Sequence, residues 1–418
     1  MQYEDQTEVL VVGAGPTGLL TALLLSESGV KVTVIEQESR ASVHSYACAL
    51  HPVTLRLLNR IGFGDDVLDL GRRIETVAFY EGKARRAELK YSDLPGDFPF
   101  LVILPQSALE QLLEQRLSRD GKVRVKWNHR LSDVQPSGNG VVVSIDKLGQ
   151  TALGYAVPRW EWAAEKTLRT RASFVVGADG HNSLVRHSLG IECEPAGESE
   201  RFAVYEFETD ANPGSEVRIA FDEATTNVVW PLSDTRCRWS FQLGASGEQD
   251  DFPAKDRTTL VFEQEATDEL IRRDVQKFIR ERAPWFEGNI GEIAWSTDVQ
   301  FEHRLAKRFG RDHRWLVGDA AHQTGPVGVQ SMNAGLLEAA ELAGHLTKIL
   351  RENGSLNLLE TYDRNRRQEW ERLLQLQGQP QPGKQADPWT KKHAARILSS
   401  IPASGEDFTC LARQLGFD

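Results

Sequence analysis

Residues 8–36 read EVLVVGAGPTGLLTALLLSESGVKVTVIE, and their pattern decides the fold. The run from Val9 to Val12 is the continuous apolar type expected of a strand buried on both faces. Gly13, Gly15 and Gly18 follow at the spacing G-x-G-x-x-G, with Pro16 and Thr17 between them. Leu19, Ala22, Leu23 and Leu25 recur at helical spacing until Gly29 stops the helix, and KVTVI gives a second β-branched run. This is a strand–helix–strand unit. Its first glycine permits a tight turn, the second a close approach of backbone to a pyrophosphate, and the third close helix–strand packing. The helix N-terminus offers unpaired N–H groups to phosphate, and Glu36 at the end of the second strand can accept hydrogen bonds from a ribose. Strand, glycines, helix, strand and acid in this order predict a bound dinucleotide. The acid favours a free 2′-hydroxyl, hence FAD or NAD over NADP at this position.

Outward from this unit, Val53 to Arg60 has a helical apolar pattern ended near Gly62. Gln106 to Arg119 reads as a helix with Leu109, Leu112, Leu113 and Leu117 on one face. Within residues 73–105, ETVAFY and FLVIL read as strands, and VRVKW and GVVVSI are expected to form a hairpin around PSGNG. SFVVGADG supplies another buried strand from 173. Residues 200–300 carry mainly strand signals, interrupted by one helix over about Asp268 to Arg282. The strand–helix pattern resumes at Trp315, with a helix expected over Leu336 to Leu350. LLETYDRNRRQEWERLL then reads as a helix and QGQPQPGKQADP as a loop. The alternation predicts an α/β protein in which a Rossmann-like domain is interleaved with a β-sheet domain and followed by C-terminal helices.

The chain has 418 residues, more than one ordinary core. Its 40% apolar and 26% charged composition is that of a globular protein, and a net charge of −11 argues against a general binder of nucleic acid or anionic membranes. Cys48, Cys193, Cys237 and Cys410 include no CxxC pair, so neither a disulfide framework nor a metal site is expected. No apolar run approaches the roughly 18 residues of a membrane span, and MQYEDQTEVL is acidic and unlike a signal peptide. The expectation is a reduced, cytoplasmic, soluble protein.

Residues 315–335, WLVGDAAHQTGPVGVQSMNAG, place a glycine- and proline-containing loop between a strand-like run and a helix. Together GAGPTG, GADGHNSLVR and LVGDAAHQTGP resemble, in order and spacing over roughly residues 8–350, the motifs of the single-component FAD-dependent monooxygenases, the para-hydroxybenzoate hydroxylase-like group of aromatic hydroxylases. ILPQSALEQLL and IPASGEDFTCLARQLGF are similar to further segments of that group. The resemblance implies that Asp319, after Gly318, binds the ribityl or ribose hydroxyls of FAD. It implies that the following helix points its N-terminus at the pyrophosphate and the pyrimidine edge of the flavin, with Pro326 beside the ring where oxygen reacts. A reduced flavin carries negative charge near N1 and C2=O, which a helix N-terminus stabilises. Val329, Ser331, Met332 and Asn333 belong to the same cofactor loop by this resemblance, which spans residues 325–335. Gln106 would contact the flavin from a helix start, and Asp179 with Gly180 would serve both FAD and NAD(P)H, Ser183 and Arg186 completing that motif. Plainer roles stay open for two of these, a turn or cap for Asp179 and a cap for Gln106. His322 has the chemistry of a catalytic base, but the resemblance implies a structural place near the flavin loop.

The chain departs from the group at two segments. Where the group carries an arginine in RAxxL, this chain reads HSYACALHP, with Tyr46 at the arginine position. A phenol donates one hydrogen bond but cannot neutralise a phosphate, and Arg40 and His44 are the nearby alternatives. The group's PxGGQGxNxG reads PVGVQSMNAG, so Val329 and Ser331 replace glycines, and Val329 is expected to take an ordinary φ. Asn333 and Gly335 are retained, and Glu338 stands for the usual Asp.

The implied activity is oxygenation of an aromatic or related electron-rich small molecule. NADPH or NADH would reduce the FAD, and O2 would then give a flavin C4a-hydroperoxide. The implied division is a discontinuous FAD-binding domain (1–72, 106–190 and 301–380), a β-rich substrate domain (73–105 and 191–300) and a tail segment (381–418). No residue is singled out as catalytic. His51, Tyr80, Tyr205 and His303 are polar residues in or near the candidate substrate layer, and Trp230, Trp239 and Trp295 aromatic ones, with packed or surface roles the plainer reading for each. Baeyer–Villiger or epoxidation chemistry, a flavin-linked reductase, a halogenase and a catalytically silent FAD-binding pathway protein stay open on the same fold. For the halogenase, RWEWAAEK has Trp160 and Trp162 at the expected spacing but lacks the Ile-Pro.

Overall fold

The structure, a computed structural model, describes residues 5–39, 47–119, 121, 123–153, 159–211, 214–244 and 268–418. Tyr46, Arg40 and His44 therefore lie outside the described residues. The chain begins with β1 (Asp5–Val12), α1 (Pro16–Glu27), β2 (Val32–Ile35) and α2 (Pro52–Arg60). It continues through β3 (Thr76–Glu81), β4 (Ala84–Lys90) and α3 (Gln106–Arg119). Then come β5 (Val125–Lys126), β6 (His129–Pro136), β7 (Val141–Leu153), β8 (Arg159–Gly177) and the short α4 (Leu184–Ser188).

An eight-stranded sheet carries the first half of the architecture. β1 lies at its centre, parallel to β2 on one side and to β8 on the other. This is why Val9, Leu10 and Val11 are fully buried: helices or loops cover the strand on both faces. Pro16 opens α1, where its missing N–H has no partner to lose. The hairpin expected between VRVKW and GVVVSI is not formed. Val125 and Lys126 instead extend the sheet parallel to β2, and the hairpin joins β6 to β7, with Ser137 N–H donating to Gly140 O at 2.9 Å. A short β-branched run suits either a parallel or an antiparallel neighbour, so the run alone did not choose its partner.

The second sheet has seven strands. Its later members are β9 (Glu200–Glu208), β10 (Glu216–Phe221), β11 (Thr226–Pro231), β12 (Arg236–Leu243) and β13 (Ile293–Phe301). The order is β13-β9-β12-β11-β10-β3-β4, so strands from before α3 complete a sheet built mainly from residues after 200. β4, ARRAELK, carries no strand signal in sequence and is an exposed edge. One face of this sheet is covered by α5 (Asp268–Arg282), which packs Phe278 and Ile279 against Tyr205, Trp239 and Phe241. The other face presents Phe79, Phe202, Phe221 and Trp230, each essentially inaccessible to solvent and each contributing about 1.5–3 kcal/mol of burial.

The chain then returns to the first sheet through β14 (Arg314–Leu316), parallel to β8, and enters α6 (Gln330–Arg351) and α7 (Asn357–Leu373). α6 starts at Gln330, well before the expected Leu336, since Gln330 to Gly335 continue its first turns. The tail folds into short helices including α8 (Ala394–Ser400) and α9 (Gly405–Gln414). Ile397, Leu398, Ile401, Ala403 and Leu411 pack onto the second sheet's free face, together with Val327 and Val329. Arg396 fixes this docking by donating to Asp222 O and to Thr225 O, with its guanidinium 4.3 Å from the Phe221 ring centroid. Among the described residues no helix is long and apolar enough to cross a membrane.

Candidate functional site

Three turns converge where β1, β8 and β14 end. Gly13 takes φ +104, and a Cβ there would lie 2.1 Å from Ala178 O, so the turn admits only glycine. A Cβ on Gly18 would lie 2.1 Å from Gly13 O, which accounts for close helix–strand packing. A Cβ on Gly15 would meet nothing within 4 Å. The protein itself gives no reason for glycine at that position, and the open space over the N-terminus of α1 fits a pyrophosphate. Thr17 touches the other turns: its Oγ1 would be 3.0 Å from a Cβ on Gly318 and 2.9 Å from one on Gly335. Glu36 accepts the N–H of Ala14 at 2.8 Å on one oxygen and that of Glu38 at 3.0 Å on the other, and stays half-exposed. Each oxygen keeps a lone pair that a ribose hydroxyl could use.

Asp179 is a cap. Its carboxylate accepts from Ser183 Oγ (2.6 Å), Leu184 N (2.7 Å) and Val185 N (3.2 Å), and burial raises its pKa against these bonds. The adjoining Arg186 guanidinium is buried and donates to His181 O (2.8 Å) and Ala320 O (2.7 Å). One side chain thereby fastens the GADG turn to the turn that carries Asp319. Gln106 opens α3 and donates through Nε2 to Glu110 Oε1 at 2.8 Å. Burial pushes the Glu110 carboxyl up to about 7, opposed by that hydrogen bond and reinforced by the charge of Glu36.

Asp319 occupies the single turn Gly318–Ala320 and, unlike Asp179, is not held by the protein around it. Protein surrounds it densely enough that desolvation raises its pKa, yet the side chain opens to solvent and accepts no hydrogen bond from a described residue. A carboxylate at the bottom of an open crevice reconciles the two observations, and it suits the hydroxyls of a ribityl chain. Behind it, Glu338 is fully buried and was not recognised as a site residue from sequence. It accepts from Gly318 N (2.8 Å), His322 Nε2 (2.9 Å) and Trp370 Nε1 (2.7 Å), and the His322 ring stacks on Trp370 at 3.8 Å. His322 is thus part of the frame.

The loop at the start of α6 lies on the seam between the two sheets. Val327 and Val329 pack with the second sheet, whereas Met332 and Leu336 pack with the first. Pro326 and Ser331 are half-buried, and Asn333 is fully buried. Val329 has φ 49 and ψ 41, the left-handed region, which overturns the ordinary φ expected from its identity. The position keeps the conformation of a glycine while carrying a branched side chain. Gln330 Nε2 donates to Ile401 O (2.8 Å) and Ala403 O (3.0 Å), so the tail closes directly on this loop.

Of the polar candidates for the substrate layer, two meet the loop. His303 Nε2 lies 2.9 Å from Glu200 Oε2, and a Cβ on Gly325 would lie 2.5 Å from that same oxygen. Glu200 also accepts from Gln242 Nε2 at 2.8 Å. His51 is fully buried with its Nε2 3.1 Å from Gly328 O. Tyr205 and Trp239 belong to the face under α5, and Tyr80 stacks on Trp285 at 4.5 Å. Trp230 is core on the loop side, and Trp295 lies 5.5 Å under the guanidinium of Arg238. Arg238, itself buried, pairs with Glu206 and lies near Cys48, whose thiol burial pushes up to about 11. This pair joins the second sheet to the segment entering α2 and has no local signature in sequence.

The chain belongs to the FAD binding domain family, which it matches over residues 6–377. It is 27% identical over 366 residues to para-nitrophenol 4-monooxygenase of Pseudomonas sp. (strain WBC-3), covering 86% of this chain and 82% of the relative. It is 26% identical over 372 residues to pentachlorophenol 4-monooxygenase of Sphingobium chlorophenolicum, covering 88% of this chain but only 63% of that one. The crystal structure of p-nitrophenol 4-monooxygenase from Pseudomonas putida DLL-E4 superposes with a TM-score of 0.73 at 23% identity, over 98% of this chain and 94% of the other. A ternary complex of aklavinone-11 hydroxylase with FAD and aklavinone gives 0.68 at 24% identity, over 89% and 67%.

Proposed function

We propose that the chain oxygenates an electron-rich aromatic ring bearing a hydroxyl, using NADPH or NADH and O2 at bound FAD. The observation that carries this reading is the Glu200–His303 pair set against Gly325, one residue before Pro326. Bound FAD supplies the redox and oxygen-activating chemistry. Gly13, Gly15, Glu36 and Asp319 would hold its dinucleotide portion, and the N-terminus of α6 would face the pyrimidine edge of its ring. His303 donates through Nε2 to Glu200 and so presents Nδ1 as the acceptor of its neutral form. It would take the proton of a substrate hydroxyl while the carboxylate steadies the resulting imidazolium, leaving a more electron-rich ring. The two phenols in the relatives' names support a substrate of this type.

The test is incubation with FAD, NADPH or NADH, 18O-labelled O2 and a panel of phenols, followed by mass spectrometry. A product carrying one labelled oxygen atom is expected. Nicotinamide oxidation with a reduced, unlabelled product would point to a reductase, and no nicotinamide consumption at all to a silent FAD-binding protein.

A further inference from the structure

Val329 is a β-branched residue in a backbone region that such residues avoid, because Cβ crowds the following carbonyl. A conformation of this kind persists only where the surroundings over-determine it. Here both peptide groups flanking Val329 are held by side chains, one from the segment before α2 and one from α6 itself. The carbonyl of Gly328, before it, faces His51 Nε2 at 3.1 Å. The carbonyl of Val329, after it, accepts from Asn333 Nδ2 at 2.9 Å. The two clamping residues are themselves joined, His51 N–H donating to Asn333 Oδ1 at 2.8 Å, and Asn333 Nδ2 is further fixed on Ala49 O at 2.9 Å. Since Gly328 O can only accept, the His51 proton sits on Nε2, and Nδ1 is buried with no partner among the described residues. Burial pushes the ring's pKa down to about 3, so it stays a neutral, single-proton donor.

The conformation has a consequence for the helix that follows. A left-handed residue directly ahead of right-handed ones turns successive N–H groups toward a common point, a concavity suited to an anionic oxygen. Val329 followed by Gln330 makes that arrangement at the N-terminus of a helix of 22 residues.

We propose that His51 is a positioning residue of the cofactor site, holding with Asn333 the peptides on either side of Val329 so that the start of α6 presents its N–H groups to the flavin. The ligand part of this inference rests on the reading that α6 meets FAD; the clamp itself does not.

The test is a double-mutant cycle of His51→Leu and Val329→Gly, with His51→Gln as the conservative variant that keeps a donor. Two quantities are read: FAD affinity by flavin fluorescence, and the melting temperature of the FAD-free protein. His51→Leu should weaken FAD binding by about tenfold in the parent background but by less than about threefold in the Val329→Gly background, because glycine needs no clamp. His51→Gln should bind FAD like the parent. Equal losses in the two backgrounds would overturn the proposal and reduce His51 to a core residue. If the parent protein took up no FAD, the reading of the cofactor site would fail. The clamp would still stand or fall on whether the melting-temperature penalty of His51→Leu shrinks in the Val329→Gly background.

Discussion

Glu338 and His322 face each other 2.9 Å apart where neither is reached by solvent, and the carboxylate oxygen that meets the imidazole also receives the N–H of Gly318. One glutamate on α6 therefore sets the turn that carries Asp319. Breaking a buried pair strands its remaining partners, so Glu338→Ala should lose about 3–5 kcal/mol in urea unfolding. Glu338→Asp keeps the charge on a shorter arm and should fall between the two. A loss under about 1 kcal/mol for the alanine variant would show that the turn stands without this contact.

Asp319 and Asp179 separate cofactor binding from folding. Asp319 has no protein hydrogen bond among the described residues and its carboxylate is desolvated on folding, so Asp319→Ala should not lower the melting temperature of the FAD-free protein at neutral pH. It should weaken FAD binding by roughly 10- to 100-fold, the range for hydrogen bonds to a charged group. Asp179→Ala removes three internal bonds and should cost about 0.5–2 kcal/mol of stability even without FAD. Thermal melts of both variants with and without FAD check the contrast.

Glu110 should leave a mark on the pH dependence of stability. Its pKa rises from 4.5 to about 7 on folding, chiefly through burial. Between these values the folded protein keeps a proton that the unfolded chain has released, so this group's contribution to stability falls as pH rises through the window and stays low above it. Glu110→Gln, which keeps the contact with Gln106, should match the parent at pH 5 and exceed it at pH 8 by on the order of 2–3 kcal/mol. Urea titrations at both pH values provide the measurement, and equal stabilities at pH 8 would contradict the assignment.

The Glu200–His303 pair gives a kinetic expectation. His303→Gln should lower kcat for a phenolic substrate by about 10²–10⁴-fold, while FAD affinity stays within about threefold of the parent, since no dinucleotide contact is altered. A variant that retains the rate would remove His303 from the chemistry.

Sequence reading reached furthest where the determinants are local. Gly18, where a Cβ would meet Gly13 O, and the helix from Gln106 are set by neighbours within a turn or two, and their structural roles are legible. The turn PSGNG and the strand after it are legible, but the partner strand is not, because β-branched runs do not name their partner. Val329 is hidden for a sharper reason: its identity favours an ordinary φ, whereas its clamp comes from His51, 277 residues away from Gly328. Glu200 and His303 are 103 residues apart, and only the pairing of β9 with β13 brings their ends together. Such contacts follow from topology, which no window of sequence displays.

Gln330 waits for its partners during synthesis. Its side chain is held by carbonyls 71 and 73 positions later in the chain, so a ribosome that has just delivered Gln330 has not yet made either acceptor. At 5–20 residues per second, roughly 4–14 s separate the loop from the segment that latches it. The nascent chain thus passes through a stage in which every described strand of both sheets has been synthesised while the loop between them is still without its latch.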